Sequence, residues 1–99
     1  MNIQAMMKQA QKLQNDMMKV KDEIDKTEFT AENGLVTVKI NGKKEVLEVK
    51  IKTEETLEAE DVEMLQDMIM IAMNEAMEQV DKMTEQKMGK FSNAMPGLF

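Results

Sequence analysis

Cysteine, histidine, arginine, tryptophan and tyrosine are all absent from this chain of 99 residues. Without cysteine there are no disulfides and no thiolate nucleophile, which fits a reducing cytosol. The lack of histidine removes the commonest metal ligand and the commonest general base. With no arginine, every positive side chain is a lysine, so bidentate reading of guanine is not expected. Any contact to nucleic acid would fall mostly on phosphates and would weaken with salt. Three Phe are the only aromatics, and one Pro and four Gly leave few breaks in the chain. No apolar run is long enough to span a bilayer, and the N-terminus is amphipathic, unlike a signal peptide. The expectation is a cytosolic protein of one domain, residues 1–99, with a modest aliphatic core.

What the chain does have is methionine, thirteen of them, and unevenly placed charge. The net charge is −6, yet residues 1–21 carry four Lys against one Asp, and residues 39–52 carry five Lys against two Glu. Residues 53–86 hold eleven acids and one Lys. An acidic segment therefore sits among mildly basic ones.

From Asn2 to about Asp25 the pattern predicts one long helix. Ile3, Met6, Ala10, Leu13, Met17, Val20 and Ile24 alternate in steps of three and four, a heptad seam with no Gly or Pro inside it. At 1.5 Å per residue the helix would be roughly 36 Å long. Lys8, Lys12 and Lys19 fall opposite the seam, with Gln4, Gln11 and Asn15 beside them. Such a face is either a solvated exterior or a surface for phosphates, and the residues alone leave both open.

Residues 27–51 predict a three-stranded antiparallel meander. Val36, Val38 and Ile40 alternate with Thr37 and Lys39, and Leu47, Val49 and Ile51 alternate with Glu48 and Lys50. Asn33-Gly34 and Asn41-Gly42 supply two turns in which glycine would take a positive φ. Glu28 to Ala31 is the weakest strand. A connector follows, in which Thr53 caps a short turn and Glu54, Glu55, Glu58, Glu60 and Asp61 crowd the start of the next helix, where the dipole favours negative charge. This explains the acidity better than a cation site, because no calcium-loop spacing occurs.

The last helix, from Val62 to Met88, organises the rest. Val62, Leu65, Ile69, Ala72, Ala76, Val80 and Met83 make one stripe. Met68 to Met73 is apolar at six consecutive positions, which covers a helix on every side. The remaining chain is too small to enclose it, so a second copy is expected to help, with Leu65, Met68, Ile69, Ala72, Met73 and Ala76 at the dimer interface. Gly89 is expected to stop the helix, with Lys87 and Lys90 near its end and residues 90–99 as a loose tail. The fold class is α+β in the order α-β-β-β-α. There is no set of residues for nucleophilic or acid–base catalysis, no zinc spacing and no phosphate loop, so neither enzyme activity nor a metal or cofactor is expected.

Several runs together resemble the YbaB/EbfC family of bacterial nucleoid-associated proteins. These are Met6-Met7-Lys8-Gln9-Ala10-Gln11-Lys12-Leu13-Gln14, Gly34-Leu35-Val36, Asn41-Gly42 and Glu45-Val46-Leu47. They continue with Glu60-Asp61-Val62-Glu63-Met64-Leu65, Met88-Gly89-Lys90 and Pro96-Gly97-Leu98-Phe99. The resemblance implies a homodimer with a central body and helices projecting like tweezers. It also implies binding of double-stranded DNA with little sequence preference, in the nucleoid. On that reading Lys8, Lys12, Lys19, Gln4, Gln11, Asn15, Lys87 and Lys90 would face DNA. The chain departs from the family in lacking arginine, and in having Thr53-Glu54 and Glu58-Ala59 where relatives often carry Asp-Pro. The competing expectation is a dimeric adaptor that recruits a replication or recombination protein and does not touch DNA.

Overall fold

A computed structural model describes residues 2–94. Helix α1 spans Ile3–Lys26, and the Asn2 side chain caps its start by accepting from the Ala5 N–H at 3.1 Å. Strands β1 (Glu28–Asn33), β2 (Val36–Asn41) and β3 (Val46–Ile51) form an antiparallel sheet in the order β1-β2-β3. A short 3-10 turn, Ala59–Asp61, leads into helix α2, Val62–Ala94. Its entry is a capping box in which the Glu58 N–H donates to Asp61 Oδ2 at 2.8 Å. The α-β-β-β-α order and the meander match the sequence reading.

The core lies between α2 and two of the strands. Phe29 and Ala31 of β1 and Val36, Val38 and Ile40 of β2 alternate onto the buried face of the sheet. Against them lie Ala72, Ala76 and Val80 of α2. The two alanines are fully buried, because their small side chains let the helix backbone sit close to the sheet. This corrects the expectation that Ala72 and Ala76 face a second copy: one chain already consumes them. Leu65, Met68, Ile69 and Met73 pack at the margin of the same core and are only partly buried. Met70 and Ile71, in the apolar run, remain exposed.

Of the two turn glycines, one follows its sequence motif and the other does not. Gly34 has φ +55, as a tight turn requires, and the Met68 side chain lies directly over it. The β2–β3 connection is wider than two residues, and its left-handed residue is Lys44 at φ 65, with Gly42 outside that region. Asn41 Oδ1 holds this loop by accepting from the N–H groups of Lys43 and Glu45. Glycine is needed at 42 for a different reason. A Cβ there would run into the carbonyl of Ile24, and the Gly42 N–H donates to the Asp25 carbonyl at 3.3 Å. The loop thus seals the C-terminal end of α1.

Helix α2 does not stop at Gly89. It continues to Ala94, and Phe91 is buried with Ile24 and Met88 in a second cluster, flanked by Leu13, Met17, Val20 and Met83. The expected loose tail therefore begins too early in the sequence reading, since residues 90–94 are helical; residues 95–99 lie outside the described part. A Gly inside a helix is disfavoured by propensity, and burial of Phe91 past it offsets that cost.

These two glycines make opposite predictions. Gly42→Ala should destabilise by about 1–3 kcal/mol through steric conflict. Gly89 has nothing within 4 Å of an added Cβ, so Gly89→Ala should stabilise by ~0.5–1 kcal/mol. Thermal unfolding at one fixed protein concentration reads both signs. A loss of stability in Gly89→Ala would mean the helix ends there after all.

Candidate nucleic-acid interface

The second cluster joins α1 to the far end of α2, so the two helices leave the sheet together. The molecule is 72 Å long and only 19 Å by 14 Å across. Ile24 and Lys21 stand beside Thr84 and Met88, at the base of this projection, and Lys43 is drawn to the same place by the approach of Gly42. Further out, Leu13 and Met17 are partly buried against the cluster, while every residue from Asn2 to Lys12 is exposed.

The sequence-predicted site residues fall on two elements. Lys8, Lys12, Lys19, Gln4, Gln11 and Asn15 occupy the α1 positions turned away from the seam, and all six are exposed. Lys87 and Lys90 lie on α2 close to Phe91, both exposed, and the Lys90 ammonium sits 5.0 Å over the Phe91 ring. The structure therefore brings both sets onto one projecting helix pair, which heptad spacing alone did not disclose.

Ion pairing separates these lysines from Lys21, Lys26, Lys39, Lys44 and Lys50, though not from Lys52 and Lys82, which have no carboxylate partner among the described residues either. Lys21 and Lys26 pair with Asp25 and Asp22 along α1, and Lys44 pairs with Asp81 at 2.9 Å. On the outer face of the sheet Lys39 reaches Glu48 at 3.5 Å, and Lys50 reaches it at 2.9 Å. The hydrogen bond from Lys50 draws the Glu48 carboxyl below its ordinary value, and the same bond raises Lys50. These charges largely cancel locally. Lys8, Lys12, Lys19, Lys87 and Lys90 have no carboxylate within 4.0 Å among the described residues. Lys43 is likewise unpaired and was missed by the sequence reading, since only the Gly42 contact shows that it stands at the foot of α1.

Among the described residues no cluster of carboxylates is arranged to hold a metal ion. No helix among the described residues is long and apolar enough to cross a membrane. An open cleft of about 740 Å³ lies between the connector and the sheet, lined by Leu35, Ile51, Leu57 and Met64 together with Glu54, Glu55 and Asp61.

A profile of the YbaB/EbfC DNA-binding family matches residues 1–95. The chain belongs to that family. It is 46% identical, over 99% of its length and 95% of the relative's, to a nucleoid-associated protein of Ligilactobacillus salivarius. It is 48% identical to a nucleoid-associated protein of Alkaliphilus metalliredigens, over 99% of this chain and 89% of that one. The crystal structure of an uncharacterized protein from Helicobacter pylori superposes with a TM-score of 0.70 at 21% identity, covering 96% of this chain and 99% of that chain. This last likeness concerns the fold.

Lysines already neutralised should matter little to DNA. Lys50→Gln and Lys39→Gln should each change the concentration for half-maximal duplex retardation by less than about twofold at low salt. A larger loss in either variant would move the DNA surface to the outer face of the sheet.

Proposed function

We propose that the chain acts as a homodimer that binds double-stranded DNA along its phosphate backbone, with low sequence specificity, and so organises the nucleoid or affects gene expression. The observation that carries this reading is the unpaired lysine face of α1 on a projecting helix. Lys8, Lys12 and Lys19 present ammonium groups to phosphates, with Gln4, Gln11 and Asn15 as neutral donors between them. Lys87 and Lys90 add charge from α2, and Lys43 adds it at the base. Lysine is a point charge that does not select a base edge, which accounts for low specificity.

The net charge of −6, or −12 for two copies, opposes a polyanion. Screening limits that opposition, since charges further than about 8 Å apart in solvent interact weakly at physiological ionic strength. Much of the acidity sits in residues 53–86, and the lysine face lies on the opposite limb of a 72 Å molecule.

The dimer reading is supported by what a single chain leaves uncovered. Val49 and Ile51 of β3 pair across from Val38 and Val36, so they share the apolar face of the sheet. Yet they are 41% and 42% exposed, because α2 covers only β1 and β2. Leu57 and Met64 continue this surface through the cleft beside Ile51. A second copy covering β3, with Leu65, Met68, Ile69 and Met73 at its margin, would complete the body. The chain would then work as one domain over its whole length, in the cytoplasm and on the nucleoid.

Two measurements test this. Lys8→Glu combined with Lys12→Glu should weaken retardation of unrelated duplexes about equally, and should lower the slope of log affinity against log salt by roughly 2. Undiminished binding by that double variant at low salt would remove α1 as the DNA surface. Separately, light scattering of the parent should give twice 11.4 kDa, and Ile51→Asp should shift it towards one chain. A parent that stays at 11.4 kDa would end the dimer reading.

A further inference from the structure

The seam of α1 is only half used. Its inner part, Leu13, Met17, Val20 and Ile24, packs on α2 of the same chain. Its outer part, Ile3, Met6 and Ala10, packs against none of the described residues: Ile3 is 66% exposed and Met6 54%, and Met7 beside them is 61% exposed. The ten steps from Ile3 to Leu13 amount to about 15 Å of helix beyond the packed pair. Barely three helical turns without tertiary contact are marginal in water, and a partner helix would hold them.

The residues flanking each half of the seam point to the partner. Beside the inner half stand Asp16, Lys21 and Glu23, which are charged. Beside the outer half stand Asn2, Met7, Gln9 and Gln14, none of which is charged. Flanking charges are what direct a heptad seam to or away from a given helix. With none present, no repulsion bars an identical helix. The lysines that carry the DNA reading lie on the opposite side of α1, so pairing through the seam leaves them outward.

We propose that the outer half of the α1 seam pairs, antiparallel, with the same segment of α1 from a second copy of the chain. An antiparallel arrangement sends the two globular bodies to opposite ends, where they do not collide. It sets the Met6 of each helix against the Ala10 of the other, large against small. The inference builds on the dimer reading above, in that pairing at the arms joins one dimer to the next through a surface separate from β3. Two joined dimers carry outward lysine faces at both ends, which suits holding two DNA segments together. The contact is short and therefore weak in free solution. Binding to a common duplex raises the local concentration of arms and favours it.

The absence of cysteine makes the test direct. Chains carrying Met6→Cys are mixed with chains carrying Ala10→Cys and oxidised mildly, in the presence and absence of duplex DNA. Mixed disulfides should form at least tenfold faster than between Ala5→Cys and Ala10→Cys chains, since Ala5 lies off the seam, and DNA should accelerate the seam pair further. Equal rates in the two mixtures would overturn the proposal. So would a Met6→Cys, Leu98→Cys variant that closes within one chain faster than the seam pair links two chains, because the chain's own C-terminal residues would then occupy the seam. In light scattering at raised concentration, the parent should exceed the mass of two chains. Ile3→Gln with Met6→Gln, which adds no charge beside Lys8 and Lys12, should stay at two chains, with circular dichroism of a folded protein and retardation of a single duplex within about twofold of the parent. Should the seam variant match the parent in mass while the Lys8, Lys12 variant loses DNA, the arm pairing falls and the DNA reading stands. The reverse result separates them the other way.

Discussion

A single helix about 10 Å wide cannot cover three strands spaced nearly 5 Å apart. This mismatch shapes the molecule. Ala72 and Ala76 bring α2 down onto β1 and β2, and the Gln79 side chain fastens it to the β1 edge through the Thr30 carbonyl at 3.1 Å. The choice of those two strands leaves β3 touching no helix or strand except β2. Val49 and Ile51 then carry apolar side chains into solvent on the face where their neighbours are buried. Their exposure is a consequence of where α2 lies, and it is the main physical support for a second copy.

The same helix does a second job beyond the sheet. Its last turns run past Gly89 and bury Phe91 against α1, so one element forms both the floor of the core and half of the projecting arm. The base of the arm is set by a backbone contact. Gly42 lies against the last carbonyls of α1, and any side chain at that position would push the arm off the hairpin. Charge follows this division of labour. Lys39 and Lys50 on the sheet are matched with Glu48, and among the described residues those on the outward face of α1 and near the end of α2 have no matching carboxylate.

Much of this was legible in the chain. Alternation in Val36–Ile40 and in Leu47–Ile51, and the uninterrupted three-four spacing from Ile3 to Ile24, prescribe a strand–strand–helix economy with few alternatives, because side-chain periodicity follows directly from backbone geometry. Seven short runs in order were likewise enough to suggest the family that the profile match then established. The exposed lysine face of α1 was legible because one face of a helix can be drawn from numbering alone.

Other features depend on distances between elements that lie far apart in sequence, and periodicity is silent about those. It marks Ala72 and Ala76 as apolar, but only the packed structure shows that their own sheet takes them. Asn41-Gly42 reads as a turn requiring positive φ, whereas the requirement comes from Ile24 and Asp25, some seventeen residues earlier. Gly89 reads as a helix stop, and long-range burial of Phe91 overrides it. Local pattern thus dictated which elements form and which faces are apolar. Packing decided which apolar faces are satisfied within one chain, where the arm points, and which lysines are left without a counter-charge.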